Sequence, residues 1–239
     1  MRYSIGKHGP QGHAFLFCGS PFNICSKGLS FAAQSLRMQS FITRPILDQT
    51  ISWEQYYALV RQYVETDDKP ELYRNEKMLR YTGENLKRMD HMLANINIES
   101  KLYNQLSAVS TPWIWVVLAE PWCGDVSQEI SVLYTFSTCS EKIDLRILQS
   151  DSHPEVLDHY TTGSSRSIPK LVCLRADTLE EVGTWGPRPA VLQQIVLENK
   201  DRADISFGAK VRMIHEWYGQ DMTRAIQEEF IDLIKIWNS

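Results

Sequence analysis

Cys123 is the residue of this 239-residue chain best placed to do chemistry. It lies in Trp122-Cys123-Gly124-Asp125-Val126, after the apolar run Trp113-Ile114-Trp115-Val116-Val117-Leu118. Such a run reads as a strand buried on both faces. Gly124 to Thr138 reads as a helix, with Ile130, Leu133 and Tyr134 on one side. Cys123 therefore stands where a strand ends and a helix begins. The thiolate is the reactive form of cysteine, so its pKa decides the chemistry. Unpaired N–H groups and the helix dipole favour the thiolate at that place. Sites of this kind bring a cysteine from about 8.5 to roughly 3.5–7.5. Asp125 opposes the effect. At about 6 Å its carboxylate repels a thiolate by ~0.7 to ~3 kcal/mol, for an effective dielectric of about 80 to 20. That equals a change of ~0.5 to ~2 in pKa. Arg166 or Arg188 would restore the thiolate if either reached the sulfur.

A resolving thiol would have to stand at position 126, and that residue is Val126. A lone thiol can attack a disulfide and form a mixed disulfide, but an external thiol must then release it. Cys139 falls near the far end of the same helix. At ~1.5 Å rise per residue it is ~24 Å away, too far to serve as the partner. Cys173 sits in the short apolar strand Leu171–Leu174 and reads as a small buried hydrophobe. With Cys18 and Cys25 the cysteines number five, and their spacings suit no disulfide framework or zinc site. A reducing, cytoplasmic setting is expected.

The elements that position Cys123 follow from periodicity and punctuation. Tyr56, Leu59, Val60, Tyr63 and Val64 mark an amphipathic helix from about Ser52. Leu86, Met89, Leu93 and Ile96 mark a second, and Glu99 to Leu106 a short third. After the Ile114–Leu118 strand and its helix, Ile143, Leu145 and Ile147 alternate with Asp144 and Arg146 as in a strand. Ser152-His153-Pro154-Glu155 has capping-box spacing and starts a helix. Leu171–Leu174 and Val182–Trp185 are two further strands, the last at an edge, and Gly186-Pro187-Arg188-Pro189 ends it. A helix follows through Leu192 and Ile195. The tail carries a helical stripe, Ile226, Phe230, Leu233, Ile234 and Trp237, with Asp221 as expected N-cap. The order β-α-β-α-β-β-α predicts an α/β mixed sheet whose first two strands are parallel across a helical crossover.

This middle segment resembles a thioredoxin fold over about residues 109–200. Glu120-Pro121-Trp122-Cys123-Gly124 and Arg166-Ser167-Ile168-Pro169 carry the match. The resemblance implies a cis peptide bond before Pro169, facing Cys123, with the backbone at Ile168 free to pair with an extended peptide. Over residues 50–239 the chain is similar to bacterial thioredoxin-like proteins with a single-cysteine Trp-Cys-Gly-Asp site and helical extensions. They share Trp122–Asp125, Ser165–Lys170 and Gly183–Pro189. The fold implied is a thioredoxin fold, a central mixed sheet flanked by helices, extended by helices at both termini. The expected division is a leader over 1–47, a helical extension over 48–108, the thioredoxin-like domain over 109–200, and C-terminal helices over 201–239 packed on the same unit. Two departures weigh against a general disulfide reductase. Val126 replaces the resolving cysteine, and Val116 and Val117 occupy the region where thioredoxins carry a buried aspartate.

The function implied is monothiol thiol–disulfide exchange or redox sensing by Cys123, an oxidoreductase chemistry whose partners are a protein or a low-molecular-weight thiol or disulfide. Trp122, Gly124, Asp125, Ile168 and Pro169 would shape the site, and Arg166 and Arg188 would contact the thiolate or substrate. The alternative is a non-catalytic binding module on a scaffold that has lost its resolving cysteine. No cofactor is expected. Cys123-Gly124-Asp125-Val126 shares only two residues with the Cys-Gly-Phe-Ser site by which monothiol glutaredoxins hold an iron–sulfur cluster. His153, His159 and His215 are scattered, so no metal is expected and each reads as a surface residue.

The net charge of −4 gives no sign of a nucleic-acid partner. No run approaches the ~18–20 apolar residues that span a membrane. The charge is uneven, because residues 1–47 hold five Lys/Arg and no Asp or Glu. An acid-free basic leader suits a transit peptide. The favoured expectation is a disordered tail, or sequence upstream of a start at Met38. Its longest apolar stretch, Ala14–Cys18, is too short for a secretory signal.

Overall fold

A computed structural model of the chain describes residues 40–239. Cys18, Cys25, the alternative start at Met38 and most of the expected leader lie outside the described residues. Residues 40–47 do not behave as a tail. Pro45 opens a short helix, α1 (Arg44–Leu47), and Ile42 and Leu47 are buried in the main core. Ser40 Oγ also hydrogen-bonds Tyr160 Oη at 3.1 Å.

A two-residue strand, β1 (Ile51–Ser52), follows. Ser52 then caps α2 (Trp53–Glu65): its hydroxyl accepts from the Gln55 N–H, and the Gln55 side chain accepts from the Ser52 N–H. This reciprocal pair satisfies two of the orphan donors at the helix start. A 3-10 turn over Glu71–Arg74 leads into α3 (Glu76–Asn95), capped by Asn75, and then α4 (Ser100–Ser107). Strand β2 (Trp113–Ala119) is buried along its whole length, as its unbroken apolar sequence predicts. The rest of the α/β unit is α5 (Gly124–Ser137), β3 (Ile143–Gln149), α6 (Pro154–His159), β4 (Lys170–Arg175), β5 (Glu181–Trp185) and α7 (Ala190–Asn199). Helices α8 (Phe207–Asp221) and α9 (Arg224–Trp237) close the chain.

The five strands among the described residues form one mixed sheet in the order β1-β3-β2-β4-β5. The β2–β3 pair is parallel, with Val116 opposite Arg146 and Ala119 opposite Gln149, and α5 makes the crossover. The other pairings are antiparallel. The sheet order and the flanking helices match the predicted α/β class with helical extensions. Periodicity could not find β1, because two residues are too few to show an alternation.

Two predicted caps differ. Ser152 does not cap α6: its N-cap is His153, without a side-chain hydrogen bond, and Ser152 belongs to a 3-10 turn over Ser150–Ser152. Asp221 is the last residue of α8 and not the N-cap of α9, which is Thr223. Its carboxylate nonetheless accepts from the Ala225 N–H at 3.0 Å, so it caps α9 from two residues further back.

The C-terminal helix is part of the main core. Phe230 meets Trp115, Phe136, Trp185 and Trp237 edge-to-face at centroid distances of 5.6, 5.2, 5.4 and 6.1 Å. The Trp237 indole lies so close over Gly183 of β5 that no side chain fits there. At Gly186 (φ +107°) a Cβ would run into the Pro169 carbonyl, so the turn after β5 is seated directly on the Ile168–Pro169 segment. Among the described residues no helix is long and apolar enough to cross a membrane.

Candidate functional site

Cys123 is the N-cap of α5, at the end of the loop that leaves β2. Its N–H donates to Glu120 O at 3.1 Å, and its carbonyl accepts from the Ser127 N–H at 3.2 Å. The half-buried thiol donates to Ile168 O at 3.5 Å. The Ile168–Pro169 peptide bond is cis. Asn85 of α3 pins the loop from below. Its amide donates to Pro121 O at 2.9 Å, and its Oδ1 accepts from Ser127 Oγ at 3.2 Å and Arg88 Nη1 at 2.7 Å. Trp122 is tethered by its indole N–H to Asp151 Oδ2 at 3.0 Å.

The other free cysteines among the described residues are remote from this sulfur. Cys139 donates to Thr135 O near the C-terminal end of α5, and Cys173 is fully buried in β4. Val126 is 1 % exposed and fills the position of a resolving thiol with a methyl-bearing side chain.

Asp125 and Arg188 form a bidentate ion pair. Arg188 Nε donates to Oδ1 at 2.9 Å and Nη2 to Oδ2 at 2.6 Å, and both side chains are over four-fifths buried. Arg188 Nη1 also reaches Gln193 Oε1 at 2.9 Å, and Tyr218 of α8 donates to Asp125 Oδ1 at 3.2 Å. The expected direct contact between Arg188 and the sulfur is therefore replaced by a contact with the carboxylate that repels the sulfur. Arg166 is not at the site. It binds Asp158 through two 2.5 Å contacts, and both side chains are more than half exposed.

The sum of these effects runs against the lowered pKa expected at a helix N-terminus. Burial pushes the Cys123 thiol up to about 12, and the Asp125 charge adds to this. The N–H groups of Val126 and Asp125 and the Arg188 charge oppose them without prevailing. The helix start does act in the expected direction, but desolvation outweighs it. Burial and the Asp125 charge thus favour the thiol form of Cys123.

Two buried acids join the site that the sequence reading passes over. Glu120, the residue after β2, is 2 % exposed and accepts from the Asp151 N–H at 2.7 Å. Burial raises its pKa from 4.5 to about 7 despite that hydrogen bond. Glu129 of α5 is 1 % exposed, and burial holds it well above the ordinary carboxyl range. Each has a signal in sequence. Glu120 abuts an apolar strand, and Glu129 lies within the apolar stripe Val126, Glu129, Ile130, Leu133.

Glu120 yields a pH prediction. A carboxyl more easily protonated in the folded chain stabilises it fully below about 4.5 and loses that contribution as pH rises through about 7. The difference is worth roughly 3 kcal/mol. Glu120→Gln should therefore shrink the gap in unfolding free energy between pH 4 and pH 8 by about that amount, read from urea titrations. An unchanged gap would assign the pH dependence to other groups.

His215 of α8 lies against Gly124, where a Cβ would meet its Cε1 at 3.0 Å, so it is not the simple surface residue expected. Among the described residues no group of three or more His, Cys, Asp or Glu side chains is gathered for a metal ion.

Of solved structures, a protein of unknown function, PA1234 from Pseudomonas aeruginosa, is similar at 15 % identity and a TM-score of 0.52. The match covers 80 % of this chain and 95 % of that one. An HIV epitope-scaffold matches at 14 % identity and a TM-score of 0.48, over 77 % of this chain and 98 % of that one. No curated protein matches. The first likeness speaks for the fold alone. The family model described as thioredoxin matches residues 72–205, more than half the sequence and the whole stretch from α3 through α7. The chain therefore belongs to the thioredoxin family.

Proposed function

We propose that this chain is a monothiol thiol–disulfide exchange protein or redox sensor acting through Cys123, of the bacterial thioredoxin-like kind with a Trp-Cys-Gly-Asp site, and that it works in the cytoplasm. The observation that carries the reading is the single sulfur at the N-cap of α5, 3.5 Å from the Ile168 carbonyl. Cys123 loses its proton to solvent, and its sulfur attacks one sulfur of a partner disulfide. The partner S–S bond breaks, the departing thiolate takes up a proton, and a Cys123–partner disulfide forms. With Val126 at the resolving position, an external low-molecular-weight thiol attacks that mixed disulfide. It leaves joined to the partner and restores the Cys123 thiol. Trp122, Gly124 and Asp125 frame the sulfur, and Ile168 and Pro169 wall the groove for the partner. Arg188 acts through Asp125.

Cys123→Ser should reduce exchange with a cystamine-derived mixed disulfide to the uncatalysed rate, read by release of cysteamine. A rate equal to the wild type would end this reading.

A second reading has its own support. The high pKa of Cys123 favours a fold kept for binding, in which the groove or the helical additions hold a protein partner. Partner binding that survives Cys123→Ala would favour it, and covalent capture that requires Cys123 would favour exchange.

A further inference from the structure

We infer that α8 is a displaceable cover over the start of α5, latched by Tyr218, and that its displacement governs how readily the adjoining Cys123 reacts. The inference rests on the exchange reading for its purpose, and on the following geometry for its substance. Helix α8 lies across the first turns of α5: the His215 ring sits on Gly124, and the Tyr218 hydroxyl reaches Asp125. Gln128 Nε2 lies 3.4 Å from His215 Nδ1. The Tyr218 hydroxyl also acts on the buried Glu129, lowering the pKa that burial raises. These links between α8 and α5 are polar, and none of the fifteen residues of α8 is buried. Its neighbour α9 buries Ile226, Phe230, Ile231, Ile234 and Trp237.

A helix that covers a site without contributing to the core is held by few apolar contacts, which is the physical content of a low-stability segment. The fit beneath it is also incomplete. Glu129 Oε1 is buried without a partner, beside a cavity of about 10 Å³ lined in part by Gln128, Trp217, Tyr218 and Asp221. The junction with α9 is a sharp break in the helical path. Met222 and Thr223 both take left-handed backbone conformations (φ +50° and +70°), an uncommon choice for non-glycine residues and most of all for a β-branched one. Asp221 and Thr223 are held to α9 by the Ala225 N–H and by Gln227, so displacement of α8 would begin N-terminal to Asp221 while α9 stays in the core.

The test has two readouts on the full chain: hydrogen exchange of residues 207–221 against 224–237, and the rate at which iodoacetamide labels Cys123 at pH 8. In the wild type, α8 amides should exchange at least about tenfold faster than those of α9. Tyr218→Phe should speed exchange in α8 and labelling of Cys123 together, each by about fivefold or more. His215→Ala frees Gly124 without touching the latch and should act in the same direction. Helix α8 exchanging as slowly as α9, or labelling that stays constant while α8 loosens, would overturn the cover. Fast labelling in Tyr218→Phe with cystamine exchange at the uncatalysed rate would leave the cover standing and remove the exchange reading.

Discussion

Asp125→Asn is expected to speed alkylation of Cys123 by about 2- to 10-fold at pH 8. Burial is the main reason the thiol resists ionisation, and the Asp125 charge is the next. Removing that charge is worth ~0.7 to ~3 kcal/mol at about 6 Å, which raises the thiolate fraction ~3- to ~100-fold. Part of the gain is given back, because a less basic thiolate is a weaker nucleophile with a Brønsted slope of about 0.4–0.5. The asparagine also releases Arg188 from its bidentate pair and leaves a cation beside the sulfur. Both consequences act in one direction. Peptide mass spectrometry of the labelled protein reads the rate, and an unchanged rate would mean that enclosure alone governs the sulfur.

Phe230→Ala is expected to destabilise the protein by roughly 3–5 kcal/mol. The ring is fully buried and is the common neighbour of Trp115, Phe136, Trp185 and Trp237. Its loss would open a cavity between α9 and the sheet that large flat indoles cannot fill by small shifts. For a chain of this size about 1 kcal/mol moves the melting temperature by ~2–4 °C, so a fall of roughly 6–20 °C is expected in a thermal melt. A loss under about 1 kcal/mol would show that α9 merely decorates the domain. The result also bears on the site, because α9 is the fixed end from which α8 reaches back to Gly124 and Asp125.

Legibility in the sequence tracks the range of the interactions. Ser52 with Gln55, the unbroken apolar run of β2 and the strand-to-helix step at Cys123 are local, and their residue types alone point to them. Arg188 stands out for its stiff proline-flanked turn, yet its partner is 63 positions away in Asp125. Nothing in either neighbourhood says that the two carboxylate oxygens take the guanidinium before the sulfur does. The desolvation of Cys123 is equally hidden, since it depends on segments remote in sequence, Ile168 among them, meeting at one side chain. Helix α8 lacks a strong apolar stripe because it buries none of its residues, and so its place over the site leaves no periodic trace. Arg166 shows the converse: an arginine next to the Ile-Pro segment in sequence is engaged by Asp158, eight positions earlier.

Val126 has an evolutionary consequence. It is almost wholly enclosed, one helical turn from Cys123, in a position where a cysteine would be housed as a small hydrophobe. Exchanging valine for cysteine there removes little volume and costs on the order of 1 kcal/mol or less. Descent between one-sulfur and two-sulfur forms of this scaffold can therefore run in either direction without passing through an unstable ancestor.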